Sequence, residues 1–327
     1  MNALVAGGAG YIGSIVTEEL VRARHSAILI DDLSTGHRDA VPPLALLIEG
    51  GIRDREKLHE AFTTKSIDCV IHLAATSIVS ESVADPERYH RSNVETGAIL
   101  LDAMREHGVK QIVFSSTAAV YDASAPMPLR EDAPLRPNNP YGETKLEFEG
   151  MLRERSKTEG LRYVALRYFN VAGASIDRGE DHRNETHLIP IVIDAARGAR
   201  GPVPVYGTDY PTPDGTAIRD YIHVLDVADA HLRAMRYLAE GGESVTLNIG
   251  TGTGHSVRQV IGAVEAVTGR PVPRTDSPRR AGDPPVLIAS AERAGRVLGW
   301  TRQFETLSDM IETAWEWRLR FPEGYPE

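Results

Sequence analysis

The chain has 327 residues, 42% hydrophobic and 25% charged, with a formal net charge of −10. Such a chain can bury a sizeable core and exceeds one average domain, while its negative charge argues against nucleic acid or an anionic membrane surface as partner. Cys69 is the one cysteine, inside the apolar run Cys69-Val70-Ile71, so no intrachain disulfide can form, which fits a reducing, cytoplasmic setting. No run of about 18 apolar residues occurs and nothing basic precedes the first apolar run, so neither a membrane span nor a signal peptide is expected.

In chain order, Asn2–Ala6 reads as a strand, Gly10–Arg24 as a helix, Ala27–Asp31 as a second strand and Leu44–Ile48 as a third. Asp54–Lys65 reads as a helix capped by its aspartate, and Asp68–His72 as a fourth strand. A long helix, roughly Asp85–His107, precedes the strand Gln111–Ser115. The helix Tyr141–Thr158 and the strand Arg162–Arg167 follow. This alternation predicts an α/β fold, a doubly wound parallel sheet of Rossmann type with helices on both faces. After Asn170 turn-rich stretches such as Pro211-Thr212-Pro213-Asp214-Gly215 break the pattern, and helices at Val224–Leu238 and Val257–Thr268 flank the strand Val245–Ile249. The expected organisation is a dinucleotide-binding domain over 1–170 and a smaller substrate lobe over 171–327, some of whose elements return to the first domain.

Gly7-Gly8-Ala9-Gly10-Tyr11-Ile12-Gly13 fits G-x-x-G-x-x-G between a strand and a helix. Its glycines Gly7, Gly10 and Gly13 permit a tight turn and let backbone approach a pyrophosphate, which the helix amino terminus attracts. Asp31 ends the next strand, where a carboxylate can accept hydrogen bonds from an adenine-ribose diol and would repel the extra phosphate of NADP. The expected cofactor is therefore NAD. Asp32 can share the ribose role or be a solvated neighbour, and the competing reading of the motif is a turn that only packs helix on strand.

Tyr141 and Lys145, four residues apart, share a helix face. A strand ending in Ser115-Ser116-Thr117 precedes them, and ligands of a doubly wound sheet sit at the carboxyl ends of strands. A free tyrosine ionises near 10, so a neutral-pH base needs neighbouring positive charge; a lysine ammonium and a cationic nicotinamide would supply it. Thr117 is expected to hold the same substrate oxygen, with Ser116 as its competitor and a backbone-bonded hydroxyl as the plain alternative. No metal-ligand set is singled out.

Together with Leu166-Arg167-Tyr168-Phe169-Asn170 and the run Asp214–Val224, these segments resemble the extended short-chain dehydrogenase/reductase family, in its NAD-dependent epimerase/dehydratase branch. The resemblance implies inversion of a UDP-hexose at C4 through a 4-keto intermediate, UDP-glucose to UDP-galactose, with UDP-N-acetylhexosamines as further substrates. Tyr141, Lys145 and Thr117 are the implied catalytic set. Implied cofactor contacts are the glycine turn with Tyr11 and Ile12, then Asp31, Asp32, Ile52, Leu73, Ala74, Ala75, Asn93, Tyr168 and the Tyr141–Lys145 pair. For the substrate they are Asn170, His187 and Leu188, with Arg219 and Arg280 on the diphosphate, Asp283 on the uridine ribose and Leu287 beside the sugar 2-position. A homodimer through the helices near Asp85–His107 and Tyr141–Thr158 is implied as well.

Three positions depart from the family's pattern: Ser77 where a lysine is common, Gly51 where an aspartate faces adenine, and Asp122 where glycine follows Tyr121. A 4,6-dehydratase needs an Asp-Glu pair after the threonine, and Ala118-Ala119 stands there instead. A reductase or decarboxylase of the same family stays open, as does a non-catalytic NAD-binding sensor, although such proteins can lose the tyrosine or lysine retained here.

Overall fold

The computed structural model describes residues 1–280 and 282–326. The elements of the first half are β1 (Asn2–Ala6), α1 (Tyr11–Arg22), β2 (Ser26–Asp31), β3 (Leu46–Glu49), α2 (Arg55–Thr63), β4 (Cys69–His72), α3 (Val79–Ala84), α4 (Pro86–His90), α5 (Thr96–Glu106), β5 (Gln111–Thr117), α6 (Pro140–Glu159) and β6 (Arg162–Tyr168). There follow β7 (Asn170–Ala172), α7 (Leu188–Arg197), β8 (Val203–Tyr206), β9 (Ile218–His223), α8 (Val224–Ala239), β10 (Val245–Ile249), β11 (Gly254–Ser256), α9 (Val257–Thr268), β12 (Arg274–Ser277), β13 (Val286–Leu287), α10 (Glu292–Leu298) and α11 (Leu307–Arg320).

Seven strands form one sheet in the order β10-β6-β5-β4-β1-β2-β3, with every pairing parallel. The chain works outward from β1 to β3, then restarts at β4 on the other side of β1. The strand order reverses between β1 and β4, which opens a crevice at their carboxyl ends. Strand alternation sends Ala3 and Val5 to one face, under α1 and α8, and Leu4 and Ala6 to the other, under α2, α5 and α6. A third core joins α7, α9 and α11, and a smaller sheet is built on β9 with β7, β11 and β13 around it.

Two elements differ instructively from their sequence reading. β3 starts at Leu46, the residue paired with Ile28 of β2, while Leu44 is 82% exposed and has no strand beside it. The helix expected over Asp85–His107 begins on Asp85, whose side chain caps α4, but a π turn at Arg91–Glu95 separates α4 from α5. Such insertions cluster at functional positions, and this one carries Asn93.

A buried ion pair locks α6 to the sheet. Arg167 of β6 donates to both carboxylate oxygens of Glu149, at 2.8 and 2.6 Å, with side chains only 4% and 2% exposed. Ser116 donates to the same carboxylate at 2.6 Å, and Arg167 also donates to Tyr121, whose hydroxyl donates to Asn248. Removing one partner strands the other charge in the core. Glu149→Ala is therefore expected to cost about 3–5 kcal/mol in urea denaturation; a loss below about 1 kcal/mol would contradict this role.

Candidate active site

The glycine turn closes over the carboxyl end of β1. Gly7 has φ +82, and a Cβ there would sit 2.5 Å from the Ala74 backbone nitrogen, so both its conformation and its neighbour require glycine. A side chain at Gly13 would run into the Gly7 carbonyl. Gly10 differs: it is the extended N-cap of α1, no side chain caps it, and a Cβ there would meet nothing nearer than 3.7 Å. Its open backbone and the bare helix terminus form a phosphate-sized cradle. Asp31 accepts from Ala9 N and Leu33 N, both at 2.9 Å, and burial raises its carboxyl above the usual range. Each oxygen keeps a lone pair for a ribose hydroxyl. Asp32 is exposed and turned to Ser34, the solvated neighbour of the two.

Other expected cofactor positions sort by what their side chains do. Tyr11 donates to the Gly173 carbonyl at 2.6 Å, tying the glycine turn to the loop after β7, and Ile12 packs on the core. Ile52 is buried against α2. Leu73 and Ala74 both donate to the Ala6 carbonyl at 2.8 Å, which leads the backbone through half-buried Ala75 along the crevice. Asn93 accepts from Thr76 N and Oγ1 and donates to the Thr76 carbonyl and to Thr144 Oγ1 of α6, at 3.0–3.2 Å. All its hydrogen-bonding capacity is internal. It staples the loop after β4 to α6.

Asn139 caps α6, Pro140 opens it, and Tyr141 and Lys145 lie in its first two turns. Along β5, alternation separates the three hydroxyls. Ser116 faces Glu149, whereas Ser115 bonds Tyr168 Oη and Thr117 reaches toward Tyr141. Ser116 is fully buried and points into the core, while Thr117 is the hydroxyl beside Tyr141. Thr117 Oγ1 also accepts from Ala119 N at 3.2 Å, so the plain hydroxyl-to-backbone bond exists as well. Lys145 is buried and donates to the Ser115 carbonyl at 3.0 Å, with Nζ 5.8 Å from the Tyr141 ring centre and 4.9 Å from that of Phe114.

Burial dominates the electrostatics of the Tyr141–Lys145 pair. Burial pushes the Tyr141 phenol up to about 12, against a lowering pull from Thr117, and pushes the Lys145 ammonium down to about 7. Desolvation is the cause of the Lys145 shift, and Lys145 has no carboxylate partner among the described residues to offset it. Its ammonium has three donors and spends one on Ser115, leaving two to face a ligand. Open backbone at Gly10, an acid at Asp31 and spare donors at Lys145 fit a dinucleotide along one crevice.

The second half supplies the opposite wall. Asn170 donates to the Asp220 carbonyl at 3.1 Å. The Arg219 guanidinium, 13% exposed, is ion-paired with Asp283. Arg280 stacks 4.1 Å over the Tyr206 ring. His187 spends its backbone N–H and Nδ1 on Glu185 and Glu180, so only Nε2 faces outward, while Leu188 opens α7 on the third core. Leu287 of β13 lies in register with Arg219. Of the departures, Ser77 is exposed, a Cβ at Gly51 would approach Asp32 to 3.6 Å, and Asp122 closes its own turn through Ser124 and pairs with Arg136.

The model of the NAD dependent epimerase/dehydratase family matches residues 3–250. A UDP-glucose 4-epimerase of Lacticaseibacillus casei is 47% identical over 327 residues, 99% of each chain. The UDP-glucose 4-epimerase of Brucella ovis, solved in complex with NAD, superposes with TM-score 0.93 at 45% identity, covering 96% of this chain and 97% of that one. The UDP-glucose 4-epimerase of Bifidobacterium longum, solved with NAD+ and UDP, matches with TM-score 0.93 at 36% identity, covering 99% and 100%. The chain therefore belongs to the NAD dependent epimerase/dehydratase family. No helix among the described residues is long and apolar enough to cross a membrane.

The depressed Lys145 ammonium gives a signed prediction. Its folded-state value of about 7 lies below the unfolded value near 10.4, so protons favour the unfolded chain between the two. The penalty is complete below about pH 7 and fades as pH rises toward about 10. Lys145→Met, which removes it, is expected to raise Tm most at pH 6 and progressively less up to pH 9. A Tm gain that grows with pH would refute the buried-cation account.

Proposed function

We propose that this chain is an isomerase, an NAD-dependent UDP-hexose 4-epimerase interconverting UDP-glucose and UDP-galactose through a 4-keto intermediate. One observation carries this: the Tyr141 phenol, Thr117 hydroxyl and Lys145 ammonium gather at the end of β5, across the switch point from an open glycine cradle. Family membership and full-length relatives named UDP-glucose 4-epimerase support it.

When bound, NAD accepts hydride from C4 of the sugar and returns it to the opposite face. Tyr141 takes the proton of the 4-hydroxyl as the carbonyl forms, and gives it back as the carbonyl is reduced. Thr117 donates to or accepts from the same oxygen and keeps it beside the phenol. Lys145 holds positive charge near the phenolate and uses its two spare donors on the cofactor. A diphosphate draws Arg219 away from Asp283, joined by Arg280, and Asp283 then turns to the uridine ribose. Asn170, His187 and Leu188 line the sugar end. No net redox change results, in contrast to a reductase or decarboxylase.

We further propose a homodimer in which α4–α5 and α6 pair with their counterparts. Beside α6, Val79 and Val83 of α3 are 44% and 64% exposed, apolar surface that a second chain would cover. The buried thiol of Cys69 supports a cytosolic setting.

Incubation with UDP-galactose is expected to yield UDP-glucose without stoichiometric consumption of NADH. Tyr141→Phe is expected to lower kcat at least about 100-fold while bound NAD is retained. Unchanged turnover in that variant, or NADH consumed one-for-one, would overturn the reading. Leu287 is smaller than a tyrosine, so UDP-GlcNAc is expected to react as well. A UDP-GlcNAc rate below about one-thousandth of the UDP-glucose rate would exclude this, since a steric misfit of one small group is worth about 10–200-fold.

A further inference from the structure

Four metal-capable side chains meet in the segment leading into α7: Glu180, His182, Glu185 and His187. One ligand atom of each lies within 4.8 Å of the other three. His187 Nδ1 stands 2.7 Å from Glu180 Oε1 and 2.8 Å from Glu185 Oε1. His182 Nδ1 stands 3.3 Å from Glu180 Oε1 and 3.8 Å from Glu185 Oε2. Ligands of a tetrahedral zinc ion, each about 2.0–2.1 Å from the metal, lie about 3.3 Å from one another. Only small side-chain shifts separate this arrangement from a coordination shell.

Unpaired polar atoms reinforce the geometry. Glu185 is nine-tenths buried, with a side chain 10% exposed, yet its Oε2 has no hydrogen-bond partner. His182 Nδ1 is buried and likewise without a partner, facing that same oxygen. Structures seldom leave such atoms orphaned without a reason. These two atoms make only the longer ion-pair approaches of 3.3 and 3.8 Å, outside hydrogen-bond geometry.

The segment is also anchored from outside the cluster. The Asp181 carboxylate accepts from Tyr325 N at 2.8 Å and pairs with Arg318, and the Asp181 carbonyl lies 2.7 Å from His37 Nε2. The backbone between Glu180 and His182 is therefore anchored before any ion arrives. Two carboxylates and two neutral imidazoles carry a charge of −2, which one divalent cation cancels. Imidazole ligands favour zinc-type ions over magnesium or calcium, whose preference is for oxygen.

We propose that Glu180, His182, Glu185 and His187 form a structural site for one divalent transition-metal cation of the zinc class, pinning the loop between β7 and α7. All four ligands come from protein, as in sites that hold structure instead of performing chemistry. The proposal does not depend on the epimerase reading.

The test uses full-length, tag-free protein stripped with chelator and titrated with Zn2+ and Co2+. One equivalent of Zn2+ per chain should bind, Co2+ should give the intense visible bands of a four-coordinate ion, and Zn2+ should raise Tm. Glu185→Gln and His182→Ala should each weaken Zn2+ binding at least about 10-fold, since loss of even an outer-shell partner costs about 10–100-fold. His107→Ala, which breaks the His59–His107 pair elsewhere on the surface, should leave binding intact. Binding far below one equivalent, binding that survives both cluster substitutions, or an octahedral Co2+ spectrum would overturn the site. If either variant fails to fold, wild-type stoichiometry and the Co2+ spectrum decide.

Discussion

An ammonium held inside the protein by a single backbone carbonyl governs this site. Lys145 donates to Ser115 at the end of β5 and has no carboxylate to neutralise it. Desolvation drives it toward the neutral amine and likewise drives the neighbouring Tyr141 phenol toward its neutral, protonated form. The isolated protein therefore holds a reluctant acid beside a reluctant cation. Positive charge from a bound oxidised nicotinamide would favour the phenolate, and its loss on reduction would favour the protonated phenol. Such a pair releases and takes up a proton in step with the redox state, which a reversible epimerisation needs.

Scaffolding converts that electrostatic tension into geometry. The Glu149–Arg167 pair fixes α6 against β5 and β6 from the core side. The Asn93 staple holds α6 to the loop after β4 from the crevice side. Ser115 and Tyr168 bond each other directly beneath the site. None of these groups is proposed to touch the reacting carbon, and each sets where Tyr141, Lys145 or Thr117 can stand.

Much of this was legible in the sequence because it depends on local order. The glycine turn, its strand and Asp31 fall within a short stretch, and Tyr141 and Lys145 share a helix face through spacing alone. Asp54 announced its helix as a cap. Interactions between distant segments were not legible. Asp283 meets Arg219 across 64 residues, and Glu149 meets Arg167 only because α6 folds back on β6. The burial that raises the Tyr141 phenol and depresses the Lys145 ammonium likewise belongs to the packed state. The π turn at Arg91–Glu95 leaves no hydrophobic signature, because α4 and α5 continue the same course on either side. The Glu180–His187 cluster was unrecognised although its residues are near neighbours, since its spacing matches no familiar ligand pattern and only the fold turns the four side chains inward.

The most direct test of the central claim is an ultraviolet difference titration of the Tyr141 phenol, with the Tyr141→Phe protein as baseline, in enzyme loaded with oxidised or with reduced cofactor. The account predicts ionisation at least about 2 pH units lower in the oxidised form, the scale of shift that an adjacent charge produces. Identical titrations in the two forms would contradict it.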